Sequence, residues 1–151
     1  MRAETAPAAF APVSFSSGVM VRAAPTTWTP SPIKVLAPQV RTVAEGQEIF
    51  PGVRVRFTPG HSAGHAAYVI SAGGQKVIAF GDAFHTPTQI THPLWQNVFD
   101  FDHQQTTSLR RGLIDELAQP DTIGFGIHLA DMPFGRVRVE GGQSAWQPID
   151  A

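Results

Sequence analysis

Hydrophobic and polar residues alternate most clearly in the middle of the chain. Val53, Val55 and Phe57 alternate with Arg54 and Arg56, the period-2 pattern of a strand with one buried face. Thr58-Pro59-Gly60 breaks that run. Ala66–Ser71 and Lys76–Phe80 follow as two β-rich runs joined around Gly73-Gly74, a hairpin signal. The second run is continuously apolar, which predicts burial on both faces. Residues 86–102 read as a long loop carrying Trp95, Phe99 and Phe101, with a capping-box pattern at Asp102-His103-Gln104-Gln105. Leu109, Leu113, Ile114 and Leu117 form a helical stripe that ends before Pro120, predicting a helix over 106–119. Thr122–Ile127 reads as another strand, and Arg136–Glu140 with Ser144–Gln147 as a closing hairpin around Gly141-Gly142.

The first 32 residues differ. They are rich in Ala, Pro, Ser and Thr and hold no sustained period, so residues 1–32 are expected to be irregular or extended, with a weak strand pattern at Val13, Phe15, Val19 and Val21. Residues 33–151 carry the patterned domain. The expected fold is α+β: one mixed sheet of five or six strands with the helix packed on one face.

Composition narrows the classes. With 151 residues and 42% hydrophobic content, the chain has material for one core. The net charge of −1 gives no basic excess to attract nucleic acid or an anionic membrane. No apolar run is long enough to span a bilayer. The start lacks the basic-then-apolar pattern of a secretory signal, so the expected compartment is the cytoplasm. Cysteine is absent, which excludes disulfides, thiolate ligands and thiol catalysis.

The candidate chemistry lies at strand ends. Six histidines stand at 61, 65, 85, 92, 103 and 128. His61 and His65 sit in Thr58-Pro59-Gly60-His61-Ser62-Ala63-Gly64-His65, between two strands, where glycines allow sharp turns and an imidazole can be aimed into a cleft. A tight turn with two solvent-facing histidines is the bland alternative. Asp82 follows the buried run 77–80, where a carboxylate is costly unless paired, capping or metal-bound. His128 closes the run 122–127. Three strand ends offering His, Asp and His can converge on one rim of a sheet. If they do, the ligand atoms should lie within about 5 Å of one another, because metal bonds to such ligands are about 2.0–2.2 Å long.

The 58–65 segment resembles the TPGHTPGH stretch of the metallo-β-lactamase superfamily. Gly81-Asp82 resembles that superfamily's aspartate at a strand end, and His128 its last histidine ligand. Gly81–His85, His92–Trp95 running to Phe99–Asp102, and His128–Val137 are similar to the methyl parathion hydrolase-like and lactonase-like branch. The resemblance spans roughly residues 35–148. It implies half of an αββα sandwich and a metal-dependent hydrolase acting on esters, lactones or phosphotriesters through hydroxide made on its metal ions. It also implies His61 and His128 as ligands of two ions and Asp82 as the catalytic, bridging carboxylate. His65 would then sit behind the ligands, and His85, Trp95 and Phe99 around the substrate.

The superfamily's HxHxDH motif is missing, since the earliest histidine is His61, and Glu4, Glu45 and Glu48 are the only acidic residues before Asp82. The sequence therefore reads as the C-terminal half of such a fold, holding at most one Zn2+, with Mn2+ or Fe2+ as substitutes. Turnover alone is expected to be impaired. An apolar sheet face with Val53, Val55, Val77, Ile78 and Phe80 would invite self-association or a partner supplying the other half. A non-catalytic remnant and a β-rich interaction domain are the alternative readings.

Overall fold

A computed structural model describes residues 41–129 and 132–149. The 1–32 segment, its weak strand pattern and the boundary before residue 33 lie outside the described residues; the unit that carries the sheet begins at Val43. Among the described residues, seven strands form one sheet in chain order: β1 (Glu48–Phe50), β2 (Val53–Phe57), β3 (Ala66–Ala72), β4 (Gln75–Ala79), β5 (Thr122–Phe125), β6 (Phe134–Glu140) and β7 (Gln143–Pro148). Neighbours are antiparallel except β4 and β5, which run parallel. The sheet is mixed, as expected, but has more than the expected five or six strands. The additional one, β1, has only three residues, too few for a period to register.

The β3–β4 turn places Gly73 and Gly74 at φ 57° and 77°, the left-handed pair that a two-residue hairpin demands. The parallel β4–β5 step needs a crossover, and the segment between them supplies it. That segment holds a 3-10 turn (Gly81–Ala83), a helical turn α1 (Thr88–Thr91) within the expected loop, and the long helix α2 (His103–Leu117). Helix α2 starts three residues earlier than its apolar stripe suggests, because Asp102 caps it by accepting from Gln105 N–H at 2.8 Å. The capping box is one-sided: Asp102 N–H donates to Gly60 O at 2.9 Å instead of to Gln105.

The registers sort the two faces. Val55, Tyr68, Ala79, Phe125 and Phe134 form one cross-strand row, and Val53, Ile70, Val77 and Ile123 form the next on the same face. This face carries no helix among the described residues, and Phe57, Tyr68, Ile70 and Phe134 remain exposed. Val69, Ile78, Gly124 and Gly135 form a row on the other face. There Ile78 and Phe80 are fully buried with Leu113, Ile114 and Leu117 of α2. Ile78 and Phe80 were expected on the open face and belong instead to the helix-covered one. Alternation divides a strand into two sets without saying which set meets the helix. Trp146 lies flat in a slot over Gly124 and Gly135, where any Cβ would come within 2.7 Å of the indole.

Candidate metal centre

Strand direction brings the candidate residues together. Strand β2 is antiparallel to β3, and β3 to β4, so β2 and β4 point the same way; β5 is parallel to β4. The C-terminal ends of β2, β4 and β5 therefore share one rim. His61 and His65 stand in the turn after β2, Asp82 in the 3-10 turn after β4, and His128 just after β5.

Asp82 is the meeting point. Its Oδ1 accepts from His128 Nε2 at 2.7 Å, and its Oδ2 lies 3.8 Å from His61 Nε2. Burial would raise the Asp82 carboxyl. The His128 hydrogen bond, helped by the neighbouring His61 and His65 rings, outweighs it and holds the group below its ordinary value.

His65 faces the protein. Its Nδ1 lies 2.9 Å from Thr58 O and 2.7 Å from Thr58 Oγ1, and its Nε2 accepts from Asp82 N–H at 3.0 Å. An acceptor at Nε2 places the proton on Nδ1, where it is donated to Thr58. Both nitrogens are thus used to tie the β2 turn to the Asp82 turn. Burial chiefly lowers its pKa, which favours the neutral ring that this hydrogen-bond pattern needs. Gly81 makes the contact feasible: its φ is +53°, and a Cβ there would sit 2.9 Å from His65 Nε2.

The structure adds residues with no assigned role in the sequence reading. Asp100 has a fully buried side chain, and its Oδ1 accepts from His61 Nδ1 at 3.1 Å. A carboxylate can only accept, so His61 carries its proton on Nδ1 and turns the Nε2 lone pair toward Asp82. Asp100 Oδ2 is paired with Arg110, also fully buried, at 3.0 Å. The Arg110 guanidinium further donates to Ala83 O at 2.7 Å and Trp95 O at 2.9 Å. Burial draws its pKa down and Asp100 opposes the shift. One signal was available: Arg110 shares a helical stripe with Thr106, Leu113 and Leu117, all buried, and a charge on an apolar stripe demands a buried partner.

His85 stands between the other rings, with centroids 5.0 Å from both His61 and His128. Burial, then repulsion from those two imidazoles, lowers its pKa. Trp95 stacks on His92 at 4.6 Å and is half exposed; Phe99 and Phe101 are largely exposed, so these aromatics do not fill the core. Among the described residues, two sets of three donors lie within 4.8 Å of one another, Asp82, His85 and His128, and His61, His85 and Asp100; the expected trio of His61, Asp82 and His128 is not one of them, and Asp82 links its two histidines instead. No helix among the described residues is long and apolar enough to cross a membrane.

Comparison with known proteins gives this geometry a context. The fold matches AidC, a dizinc quorum-quenching lactonase solved with a product, at a TM-score of 0.72 and 23% identity, over 79% of this chain and 41% of that one. It matches AbOPH, a hydrolase in the β-lactamase superfamily, at 0.64 and 24% identity, over 70% and 37%. A probable metal-dependent hydrolase from Staphylococcus aureus matches at 0.60 and 22% identity, over 72% and 39%. The chain thus spans about two fifths of the length of these solved proteins. No curated protein matches it. The model of the metallo-beta-lactamase superfamily covers residues 3–123, which take in the His61 turn, the Asp82 turn and the Asp100–Arg110 pair. Over that length, well beyond half of the sequence, the chain belongs to the metallo-beta-lactamase superfamily.

Proposed function

We propose that this chain carries the ligands of a metal-dependent hydrolase acting on small ester-like substrates: lactones, aryl esters or phosphotriesters. The observation that carries the reading is one carboxylate, Asp82, facing His61 on one side and His128 on the other at a single sheet rim. The donor chemistry fits a divalent ion. Imidazole nitrogen with carboxylate oxygen is a set that suits zinc, with manganese or iron as substitutes. His61, Asp82 and His128 would hold the ion. When bound, such a cation acidifies water and polarises the scissile C=O or P=O bond.

The protein's own part is to position. Asp100 fixes the His61 tautomer so that the Nε2 lone pair is free to ligate. His65 holds the Asp82 backbone, leaving the carboxylate to reach outward. Asp82 offers one oxygen to each flanking histidine and is the residue on which catalysis depends. Trp95 and Phe99, exposed on the segment beside the site, supply apolar surface for the organic part of a substrate.

The sequence contains no HxHxDH cluster, so this chain by itself offers few ligands for a second cation. Loss of that cation removes both charge stabilisation and orientation, each able to supply several kcal/mol of barrier lowering. We therefore read the chain as binding metal while turning over near background, with its open sheet face taking a second copy or a partner that supplies the other half. The test is purified chain with excess zinc or manganese, assayed on a lactone, an aryl ester and a phosphotriester beside Asp82→Ala. Metal binding that disappears in Asp82→Ala is the expected result. Binding unchanged by that substitution overturns the metal centre, and turnover well above the variant overturns the impairment. Light scattering of the same samples reads the association.

A further inference from the structure

His85 lies three residues after Asp82, past the 3-10 turn, and its surroundings differ from those of a residue that merely lines a substrate pocket. Its backbone is pinned: the N–H donates to Gln89 Oε1 at 2.7 Å, and buried Gln89 is itself held by donating to Trp95 O at 3.1 Å. Its ring is not. Nδ1 is buried and has no hydrogen-bond partner among the described residues. Buried polar atoms in folded proteins are nearly always paired, so an unpaired one calls for a missing partner. Around this ring stand two imidazoles and the Asp82 carboxylate, with the His128 ring stacked on it at 19°.

Both three-donor sets include His85, and they are not equivalent. In the set with His61 and Asp100, the carboxylate is already spent. Asp100 Oδ1 accepts from His61, while Oδ2 accepts from Arg110 and from Asn97 N–H. An ion bound there would break a fully buried ion pair and strand the Arg110 guanidinium. In the set with Asp82 and His128, the side chains are about one-third to two-fifths exposed, at 36% and 41%. Their mutual hydrogen bond can open toward solvent without leaving a buried charge alone.

We infer that His85 is a metal ligand, forming with Asp82 and His128 a three-donor site for one divalent cation in which it takes the place given above to His61. This goes further than the metal centre proposed above and rests on it. Two imidazoles and a carboxylate with a fourth position open form the protein shell of a zinc site of the catalytic type. All three donors come from within residues 82–128 of this chain. His85 thereby leaves the substrate wall, and its ring gains a partner.

The experiment is a Zn2+ titration of the purified full chain in competition with a chromophoric chelator at neutral pH. It is run on the unaltered chain, His85→Ala, His85→Gln, His128→Ala and, as a control outside the cluster, His92→Ala. His85→Ala, His85→Gln and His128→Ala should each weaken binding by more than about 100-fold, beyond the roughly 10–100-fold cost of losing a partner that only orients a ligand. His92→Ala should bind like the unaltered chain. Ring 15N shifts of His85 in the unaltered chain, with and without zinc, give a readout that needs no variant; a ligating nitrogen must move. A loss within the outer-partner range in both His85 variants, or an unmoved His85 nitrogen in the zinc-bound chain, overturns the inference while the metal centre stands. An unaltered chain that binds no zinc overturns the metal centre itself.

Discussion

Helix α2 holds two ionic networks, and they are built on opposite principles. At its midpoint, Arg110 is fully buried and divides its donors among Ala83 O in the 3-10 turn and Trp95 O and the Asp100 carboxylate in the following loop, all around the metal centre. Near its end, Glu116 accepts from Lys76 at 2.8 Å and from Arg56 at 3.0 Å, pinning the helix to β4 and β2 with all three side chains partly open to solvent. The first network is all-or-none, because removing either partner leaves a buried charge uncompensated. The second is screened, and water can replace either partner. The network that serves the site is therefore the brittle one.

Arg110→Met is expected to have the largest effect. It should destabilise the fold by about 3–5 kcal/mol, against about 1 kcal/mol or less for Glu116→Gln. Urea midpoints for the two variants decide this, and equal losses would break the contrast between the networks.

Gly81→Ala asks whether the site is also brittle in its backbone. Adding a Cβ at φ +53° and 2.9 Å from His65 Nε2 should cost about 1–3 kcal/mol. It should also speed hydrogen exchange at the Asp82 amide, which donates to that nitrogen. Destabilisation with an unchanged Asp82 exchange rate would show that the His65 link does not hold the turn.

Asp102→Ala removes the cap of α2 and should cost about 1 kcal/mol. Exchange at the Gln105 amide should rise, while amides near Glu116 stay as protected as before. A uniform rise along the helix would mean that the two networks do not act separately.

The smallest expected effect is a pH dependence in the other network. The Arg56 hydrogen bond, aided by Lys76 and against burial, holds Glu116 below its ordinary value. The folded state therefore binds its proton less readily than the unfolded chain. The stabilisation is present in full above the unfolded carboxyl value near pH ~4.3 and drains away as pH falls through the lower folded value. The stability gap between the unaltered chain and Glu116→Gln should accordingly close in acid, below about pH 4.3, and stay constant from there to neutrality. A gap that widens in acid would reverse the sign of this assignment.

Much of the frame was legible from local pattern. The alternation at 53–57, the double-glycine turns and the stripe at 109–117 correspond to β2, the two hairpins and α2, because each element's period or turn chemistry is local. His61, Asp82 and His128 could be singled out because each follows a strand pattern with a polar residue. In Phe99-Asp100-Phe101-Asp102 the capping-box pattern marked Asp102 as a cap, but nothing marked Asp100 for the buried ion pair it enters. The strict alternation of residues 99–102 puts both carboxylates on one side, so pattern alone does not single out Asp100.

Type and order of the elements, the polar residues at strand ends and the need for a metal or a charge partner beside Asp82 follow from residue chemistry acting over a few positions. Which face of β4 meets α2, which carboxylate orients His61, and whether His85 looks into solvent or into the cluster do not. Each depends on where the crossover through 81–121 lays its helix and loop against the sheet. That path is chosen by the summed burial of residues distant in sequence, Ile78 and Phe80 with Leu113 and Leu117 among them, and no local window contains that sum.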